Sequence, residues 1–300
     1  MGIKIYNLEK GEFEEEKVCA EGFMRFLYGC RAGNFLVWSL FKRVLFSRLC
    51  GLWADSRRSS KAVLKFIADN NINTDEMLYA PSNFKTFNEF FTRALAEGAR
   101  PLADCDVSFP SDGRHLLVEN VSESDTFYVK GRRFDLASFF GDAALAERFR
   151  GADMLISRLC PSDYHRFHYP ISGEIAARKE ISGSLFSVSP IALVPRLSVL
   201  WENKRILNMI ESPTLGMCAF VEIGATNVGS IINFDKVGAL AVRGAQAGMF
   251  KFGGSCVVTL IPKSANIKWN STLREMSSQS VECYCKANTC AACMEKIGAI

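Results

Sequence analysis

Two of the three histidines in this chain of 300 residues fall within one heptapeptide, Asp163-Tyr164-His165-Arg166-Phe167-His168-Tyr169, which Pro170 follows. Imidazole is the side chain best poised to take and return a proton near neutrality. An isolated histidine is more often a partner in a polar turn, and zinc would need a third ligand that the sequence does not place beside this pair. Their concentration in a Tyr-, Arg- and Pro-flanked stretch favours proton transfer. A second segment, Phe252-Gly253-Gly254-Ser255-Cys256-Val257, sets a hydroxyl after two glycines and before an apolar strand. Gly-Gly reaches backbone conformations closed to other residues and opens its carbonyl to attack, although the same tripeptide is common in plain turns. A third segment, Pro110-Ser111-Asp112-Gly113-Arg114, reads first as a β-turn in which Asp112 caps its own backbone. Acid, imidazole and hydroxyl are together the three roles of an activated-hydroxyl system.

The elements that must position these residues divide the chain into an α+β protein. Phe23 to Trp53 combines Phe35, Leu36, Val37, Trp38, Leu40, Phe41 and Leu49 with Arg25, Arg31, Lys42, Arg43 and Arg48, and carries no acidic side chain. Its spacing is helical, with Gly33 and Gly51 as plausible breaks. A basic, aromatic helix of this kind suits a membrane interface, and equally a buried helix with exposed cations. Ala62, Val63, Phe66 and Ile67, and then Phe87, Phe90, Phe91 and Leu95, repeat the helical period. After Pro101 short runs rich in Val, Ile and Phe alternate with turn residues: Phe127–Lys130, Ile171–Ala176, Leu185–Val188, Phe220–Ile223, Ile231–Phe234 and Val257–Ile261. These are strand signals, interrupted by a helical stretch at Leu136–Arg150. The expected organisation is a helical region over residues 1–100, then a β-rich domain of short antiparallel strands over residues 101–300.

Composition narrows the function classes. With 48% hydrophobic and 23% charged residues the chain is an ordinary globular protein, and its net charge of +4 does not point to a nucleic-acid partner. The uncharged apolar run Ala32 to Phe41, between Arg31 and Lys42, falls far short of the roughly 20 residues that span a bilayer. The acidic start (Glu9, Glu12, Glu14, Glu15, Glu16) does not read as a signal or transit peptide, so a reducing compartment with free thiols is expected for the 11 cysteines. There is no G-x-S-x-G, no phosphate loop and no G-x-G-x-x-G. Cys283, Cys285, Cys290 and Cys293 could hold zinc, but C-x-C is an awkward first half for the usual geometry, and no metal is expected.

Five separated pieces, in order, resemble the phosphatidylserine decarboxylases, in the bacterial-type branch with Gly-Gly-Ser. They are Phe87-Asn88-Glu89-Phe90-Phe91-Thr92-Arg93 with Arg100-Pro101; Ser111-Asp112-Gly113; Asp163 through Pro170; Val221 through Ser230; and Gly248 through Ser255. The resemblance covers roughly residues 84 to 262, and the D-Y-H-R-x-H-x-P stretch is its most specific part. It implies a pyruvoyl cofactor made by self-cleavage. In family terms Ser255 attacks the carbonyl of Gly254, and the ester eliminates to leave a β chain of residues 1–254 and an α chain that begins at the modified Ser255. His168 matches the family's base, Asp112 the carboxylate that orients it, and His165 the residue that returns a proton during decarboxylation. The pyruvoyl carbonyl would form a Schiff base with phosphatidylserine. The resemblance further implies membrane docking through Phe23–Trp53, a peripheral place on the cytoplasmic face of the cell membrane, and a homodimer. Cys256 stands where the family usually has Ser or Thr, which raises a rival reading, a lipid-binding scaffold unable to cleave.

Overall fold

The computed structural model describes residues 3–16, 18, 21–41, 44–122, 134–225, 231–253 and 255–295. The expected strand at Phe127–Lys130, residues 226–230 of the Val221–Ser230 segment, Lys42, Arg43 and Gly254 lie outside them.

The chain opens with a hairpin, β1 (Ile3–Asn7) and β2 (Glu12–Glu16), which corrects the expectation that the first hundred residues are helical. Helices α1 (Glu21–Gly29), α2 (Arg31–Leu36), α3 (Val44–Ala54), α4 (Lys61–Asn70) and α5 (Phe87–Phe91) follow, with a π turn at Val37–Phe41. The helical path continues through Gly33 and Gly51. It breaks at Cys30, whose Sγ accepts from Gly33 N–H at 3.3 Å and caps α2. Leu95 is not helical but bridges to Met77. Short strands β3 (Val107–Ser108) and β4 (Gly113–Val118) come next. The helical stretch at Leu136–Arg150 is two helices, α6 (Leu136–Phe140) and α7 (Ala143–Arg148), because Gly141 turns left-handed and Asp142 caps the second.

Strands β5 (Asp153–Leu159), β6 (Arg166–His168) and β7 (Gly173–Ile181) lead to helices α8 (Pro190–Leu193) and α9 (Val199–Glu202). Leu185–Val188 forms no strand, since beyond the Ser184–Asn203 bridge the chain runs into α8. Then follow β8 (Arg205–Ser212), β9 (Gly216–Gly224), β10 (Ile231–Asn233), β11 (Leu240–Ala241), β12 (Gln246–Phe250), β13 (Ser255–Ile261) and β14 (Ile267–Trp269). Helix α10 (Ser271–Ser278), β15 (Cys283–Cys285) and β16 (Cys290–Met294) complete the described chain.

Ten strands form one sheet in the order β11-β7-β8-β9-β13-β5-β4-β15-β1-β2, and two three-stranded sheets, β10-β12-β6 and β14-β16-β3, accompany it. Among the described residues, all pairings between these strands are antiparallel except β1 with β15. Strand β13 pairs on both sides, with β5 and β9, and is buried at every position. Its alternate side chains enter two cores. Cys256, Val258 and Leu260 join Leu116, Ile156 and Val221 on one face, and Val257 and Ile261 join Phe167, Phe220 and Phe250 on the other. A third cluster, Ala54, Val63, Met77, Phe87, Phe90 and Phe91, belongs to the helices.

The hairpin is tied to this sheet by charge. Arg158 on β5 is fully buried, and its guanidinium donates to Glu16 on β2 at 2.9 and 2.7 Å and to Glu282 at 3.1 and 2.5 Å. Burial opposes the Glu16 carboxylate, but Arg158 and Arg114 hold it down to about 2. Removing this cation leaves two buried carboxylates without their main partner, Glu16 keeping Arg114 at 3.5 Å. Arg158→Leu is therefore expected to lose about 3–5 kcal/mol in urea unfolding. Because the folded pKa of Glu16 lies below its ordinary value, its contribution is fully present above pH 4.5 and fades as pH falls toward about 2. Urea midpoints at pH 6 and pH 3 check this, and a wild-type midpoint that does not fall at pH 3 contradicts it.

Candidate functional site

Ser255 is the first residue of β13, opposite Leu159 on one neighbour and Gly224 on the other. Two flanking strands fix its backbone, and its Oγ is buried without a hydrogen-bond partner among the described residues. Burial without a partner is costly for a hydroxyl, so such an atom marks a place where chemistry outranks stability. Gly253 adopts φ 137°, a conformation that only glycine takes readily. Just before it, Phe252 is clamped. Its backbone N–H donates to Asn88 Oδ1 at 2.8 Å, and its ring meets Phe87 and Phe91 edge-on at 5.0 and 5.4 Å. Asn88 in turn donates to Asp55 Oδ1 at 2.8 Å, at the end of α3. The helical region thus holds the segment that leads into the nucleophile.

His165 precedes β6, where its ring lies on the face of Phe91 with centroids 3.8 Å apart. Its Nδ1 sits 3.0 Å from the Asp163 carbonyl, which makes Nδ1 the protonated nitrogen and leaves Nε2 a lone pair. Nε2 is buried with no partner among the described residues. Burial pushes this imidazole down to about 3, helped by the Arg93 guanidinium and opposed by the Asp163 and Gly253 backbones. His168 repeats the pattern on β6. Its N–H donates to Pro110 O at 2.7 Å, its Nδ1 lies 2.8 Å from Gly244 O, and its Nε2 is buried and unpartnered among the described residues. Burial lowers its pKa as well.

Asp112 does not hydrogen-bond to His168. Arg100 donates Nε and Nη2 to the two carboxylate oxygens at 2.7 and 2.5 Å, and Ala287 N–H adds a third bond at 3.0 Å. A bidentate guanidinium is the stronger partner, and the Gly244 carbonyl orients the imidazole in its place. Asp112 still acts on His168 through space, favouring its protonated form. Asn288 joins the two groups, donating to Arg100 O at 3.1 Å and approaching His168 Nδ1 at 3.5 Å. Gly113 lets this corner close, since a Cβ there would lie 2.4 Å from Arg158 O.

His115, the third histidine, is paired with Ser157 Oγ at 2.9 Å and packed on Phe109, and serves the core. Arg93, in the helical segment's F-F-T-R run, is nine-tenths buried. Its Nη2 donates to Ser162 O and Asp163 O, both at 3.1 Å, and its Nε and Nη1 have no partner among the described residues. Asn88, Arg93, Arg100 and Asn288 were not singled out as site residues from sequence. The first three lie in motifs read only for their helical spacing and order.

Cys256 points away from the site, as strand alternation requires, into the core with Val258 and Leu260. Its thiol therefore lies on the opposite face of the sheet from the Ser255 side chain. The tail cysteines do not converge either. Cys283 and Cys285 are buried on β15, whereas Cys290 and Cys293 sit on β16 in another sheet, 3.8 Å apart at sulfur. No group of three or more metal-ligating side chains forms among the described residues.

Comparison with known proteins bears on this arrangement. The family model described as phosphatidylserine decarboxylase matches residues 87–282. A phosphatidylserine decarboxylase proenzyme of Clostridium novyi (strain NT) is 36% identical over 283 residues, covering 94% of this chain and 96% of the relative. One from Chlamydia trachomatis serovar L2 is 37% identical over 284 residues, with 93% of each chain covered. One from Clostridium kluyveri is 35% identical over 283 residues. These similarities extend well beyond residues 84–262 and include the N-terminal helices.

Two outcomes follow from the site's geometry. Cys256→Ser, which buries a hydroxyl among apolar side chains, should cost about 1–3 kcal/mol in urea unfolding yet leave any cutting of the chain beside Ser255 within about twofold of the wild-type rate. A large acceleration of cleavage would place this side chain in the site after all. Asn88→Ala, which frees Phe252 N–H, should slow cleavage about tenfold, a loss of about one hydrogen bond's worth of positioning, as read by gel densitometry.

Proposed function

The chain belongs to the phosphatidylserine decarboxylase family, and from that premise we propose that it cuts itself between Gly254 and Ser255 and then converts phosphatidylserine to phosphatidylethanolamine. The observation that carries the reading is a set of buried reactive groups without partners. Ser255, two residues after Gly253 at positive φ, has an unpartnered hydroxyl, and two histidines sharing the Asp163–His168 segment each have a buried, unpartnered Nε2 among the described residues.

In the first step the Nε2 lone pair of His168 takes the Ser255 hydroxyl proton as Oγ bonds to the Gly254 carbonyl carbon. The C–N bond breaks, and the Ser255 nitrogen receives the proton, so the peptide becomes an ester. Asp112 favours the imidazolium that forms, acting through space. Loss of the Ser255 α-proton then expels the Gly254 carboxylate and leaves dehydroalanine. Water replaces its nitrogen, which departs as ammonia. The residues present fit the pyruvoyl group that results, because Ser255 is closed off from solvent and the Gly253 backbone two residues before it meets His165. When formed, that group supplies an electrophilic carbonyl for the substrate amine and a sink for the electron pair that carbon dioxide leaves behind.

The chain's own residues supply the rest. The Phe91 face beside His165 offers the leaving carboxylate an apolar wall, which favours loss of charge as carbon dioxide. His165 is neutral in the free protein. A substrate carboxylate beside it raises its proton affinity, and the proton it then holds stands ready for the substrate's α-carbon. The exposed faces of α1 to α3 support a peripheral place on an anionic membrane, proposed as the cytoplasmic face of the cell membrane. Phe23, Phe26, Phe35, Trp38, Leu49, Leu52 and Trp53 are all 46% exposed or more, among Arg25, Arg31 and Arg48. Among the described residues no helix is long and apolar enough to cross a membrane.

Purified protein given phosphatidylserine should release carbon dioxide and phosphatidylethanolamine, and Ser255→Ala should release none. His168→Ala should slow self-cleavage about 10²- to 10⁴-fold. Because burial lowers both imidazoles, their base forms persist below the ordinary histidine value. The pH at which the wild-type cleavage rate falls to half should therefore lie below the ordinary histidine value of 6.5. A rate that halves near pH 6.5 contradicts that assignment. Leu52→Asp with Trp38→Ser should reduce co-sedimentation with phosphatidylserine vesicles while leaving cleavage intact, and unchanged co-sedimentation counts against docking through this face.

A further inference from the structure

Arg93 is an unusual cation. The nearby guanidiniums are matched by carboxylates: Arg100 by Asp112 and Glu76, Arg114 by Asp163, and Arg158 by Glu16 and Glu282. Arg93 is as deeply buried, yet among the described residues it forms no ion pair, and its Nε and Nη1 meet no acceptor. A desolvated cation left with two free donors costs stability unless an anion completes it in use. Arg93 lines two cavities of about 450 Å³ each, one rich in carboxylates (Glu76, Asp112, Asp163) and the other lined by Tyr79, Phe84, Thr92 and Arg166, with Glu89 the only acidic side chain among its described lining residues. Glu89 accepts from the Lys85 N–H at 2.7 Å. Arg166 is held by Thr92 O at 3.0 Å and Gln246 Oε1 at 2.9 Å, and it too lacks an ion pair among the described residues. Leu78 and Tyr79, each at least half exposed, place apolar surface beside the second cavity.

We propose that Arg93, with Arg166, binds the phosphodiester of the lipid substrate in the cavity they share. The inference rests on the decarboxylase reading and adds to it the group that selects a phospholipid over free serine. Position supports it: Arg93 Nη2 and His165 Nδ1 share the Asp163 carbonyl, at 3.1 and 3.0 Å, so the anion site adjoins the proton-transfer residue. In phosphatidylserine one carbon and one oxygen separate the α-carbon from phosphorus, a matching short span. The substrate's other anion, its carboxylate, is the wrong occupant. A guanidinium gripping that group would stabilise it before carbon dioxide leaves and so oppose the reaction, whereas the phosphodiester keeps its charge throughout. The apolar surface at Leu78 and Tyr79 then meets the glycerol and acyl end.

Short-chain phosphatidylethanolamine separates the two anions, since it keeps the phosphate and has no carboxylate. Its affinity for the full chain is measured by titration calorimetry below the micelle concentration, beside an O-acylethanolamine that lacks phosphate. Wild type should bind the phospholipid about tenfold or more tightly than the phosphate-free ligand. Arg93→Gln should erase that difference, and Arg93→Lys and Arg166→Gln should each retain part of it. Equal affinity of wild type for the two ligands, no binding of either, or an undiminished preference in Arg93→Gln overturns the assignment. Should Arg93→Gln fail to fold, the wild-type comparison and Arg166→Gln still decide. Binding is read without turnover. A chain that prefers the phospholipid but releases no carbon dioxide sinks the decarboxylase reading alone, and one that decarboxylates without the preference sinks only the role of Arg93.

Discussion

Strand β13 is hydrogen-bonded on both sides, and that pairing begins at Ser255 itself. The rest of the site depends on this constraint. A residue locked between two strands cannot rotate to find water, so its hydroxyl stays buried and unpartnered. The preceding backbone must leave the sheet abruptly, which glycine at φ 137° permits. The same burial depresses His165 and His168 and keeps both as bases where an exposed histidine would be partly protonated. In the proposed reaction one cause, exclusion of water, prepares both the Ser255 hydroxyl and the two imidazoles, with no strong hydrogen bond between them required in the resting chain.

The helical region performs two tasks on two faces. Outward it presents aromatic and basic side chains, and inward it grips the segment before the nucleophile. Asp55 at the end of α3 holds Asn88, which holds the backbone of Phe252, and that ring fits among Phe87, Phe91 and Trp53. Phe91 also carries His165. The path from the exposed aromatic helices to the backbone before Ser255 is therefore short and made of packed groups. The β1–β2 hairpin works from the far edge, where Glu16 fixes Arg158 and the strand that flanks Ser255.

Much of this was legible in the sequence because the informative features are local. The Asp163–Pro170 run, the Gly-Gly-Ser step and most of the strand periodicity after Pro101 can each be read within a few residues, and strands at β7, β9, β10 and β13 match the expected runs, whereas Leu185–Val188 does not. What could not be read depends on partners far apart in the chain. Glu16 sits in an acidic stretch that looks solvated, and only the pairing of β1 with β15 buries it against Arg158. Asp112 was expected to orient His168, but Arg100, in a different segment, occupies both carboxylate oxygens. Asn88 belongs to a run whose helical spacing conceals that one polar side chain faces inward. Cys256 is the opposite case. Period-two alternation from Ser255 already turns its thiol to the other face of the sheet, as the core it enters bears out.

The central claim is that Ser255 is both the nucleophile of self-cleavage and the precursor of the reactive group. Intact mass of the purified chain under denaturing conditions tests it most directly. The account predicts two chains divided between Gly254 and Ser255, the C-terminal one lighter than simple hydrolysis would give by the mass of one ammonia. A single uncut mass from folded protein, unchanged on long incubation, or a cut whose C-terminal chain keeps an intact serine amine, would contradict it.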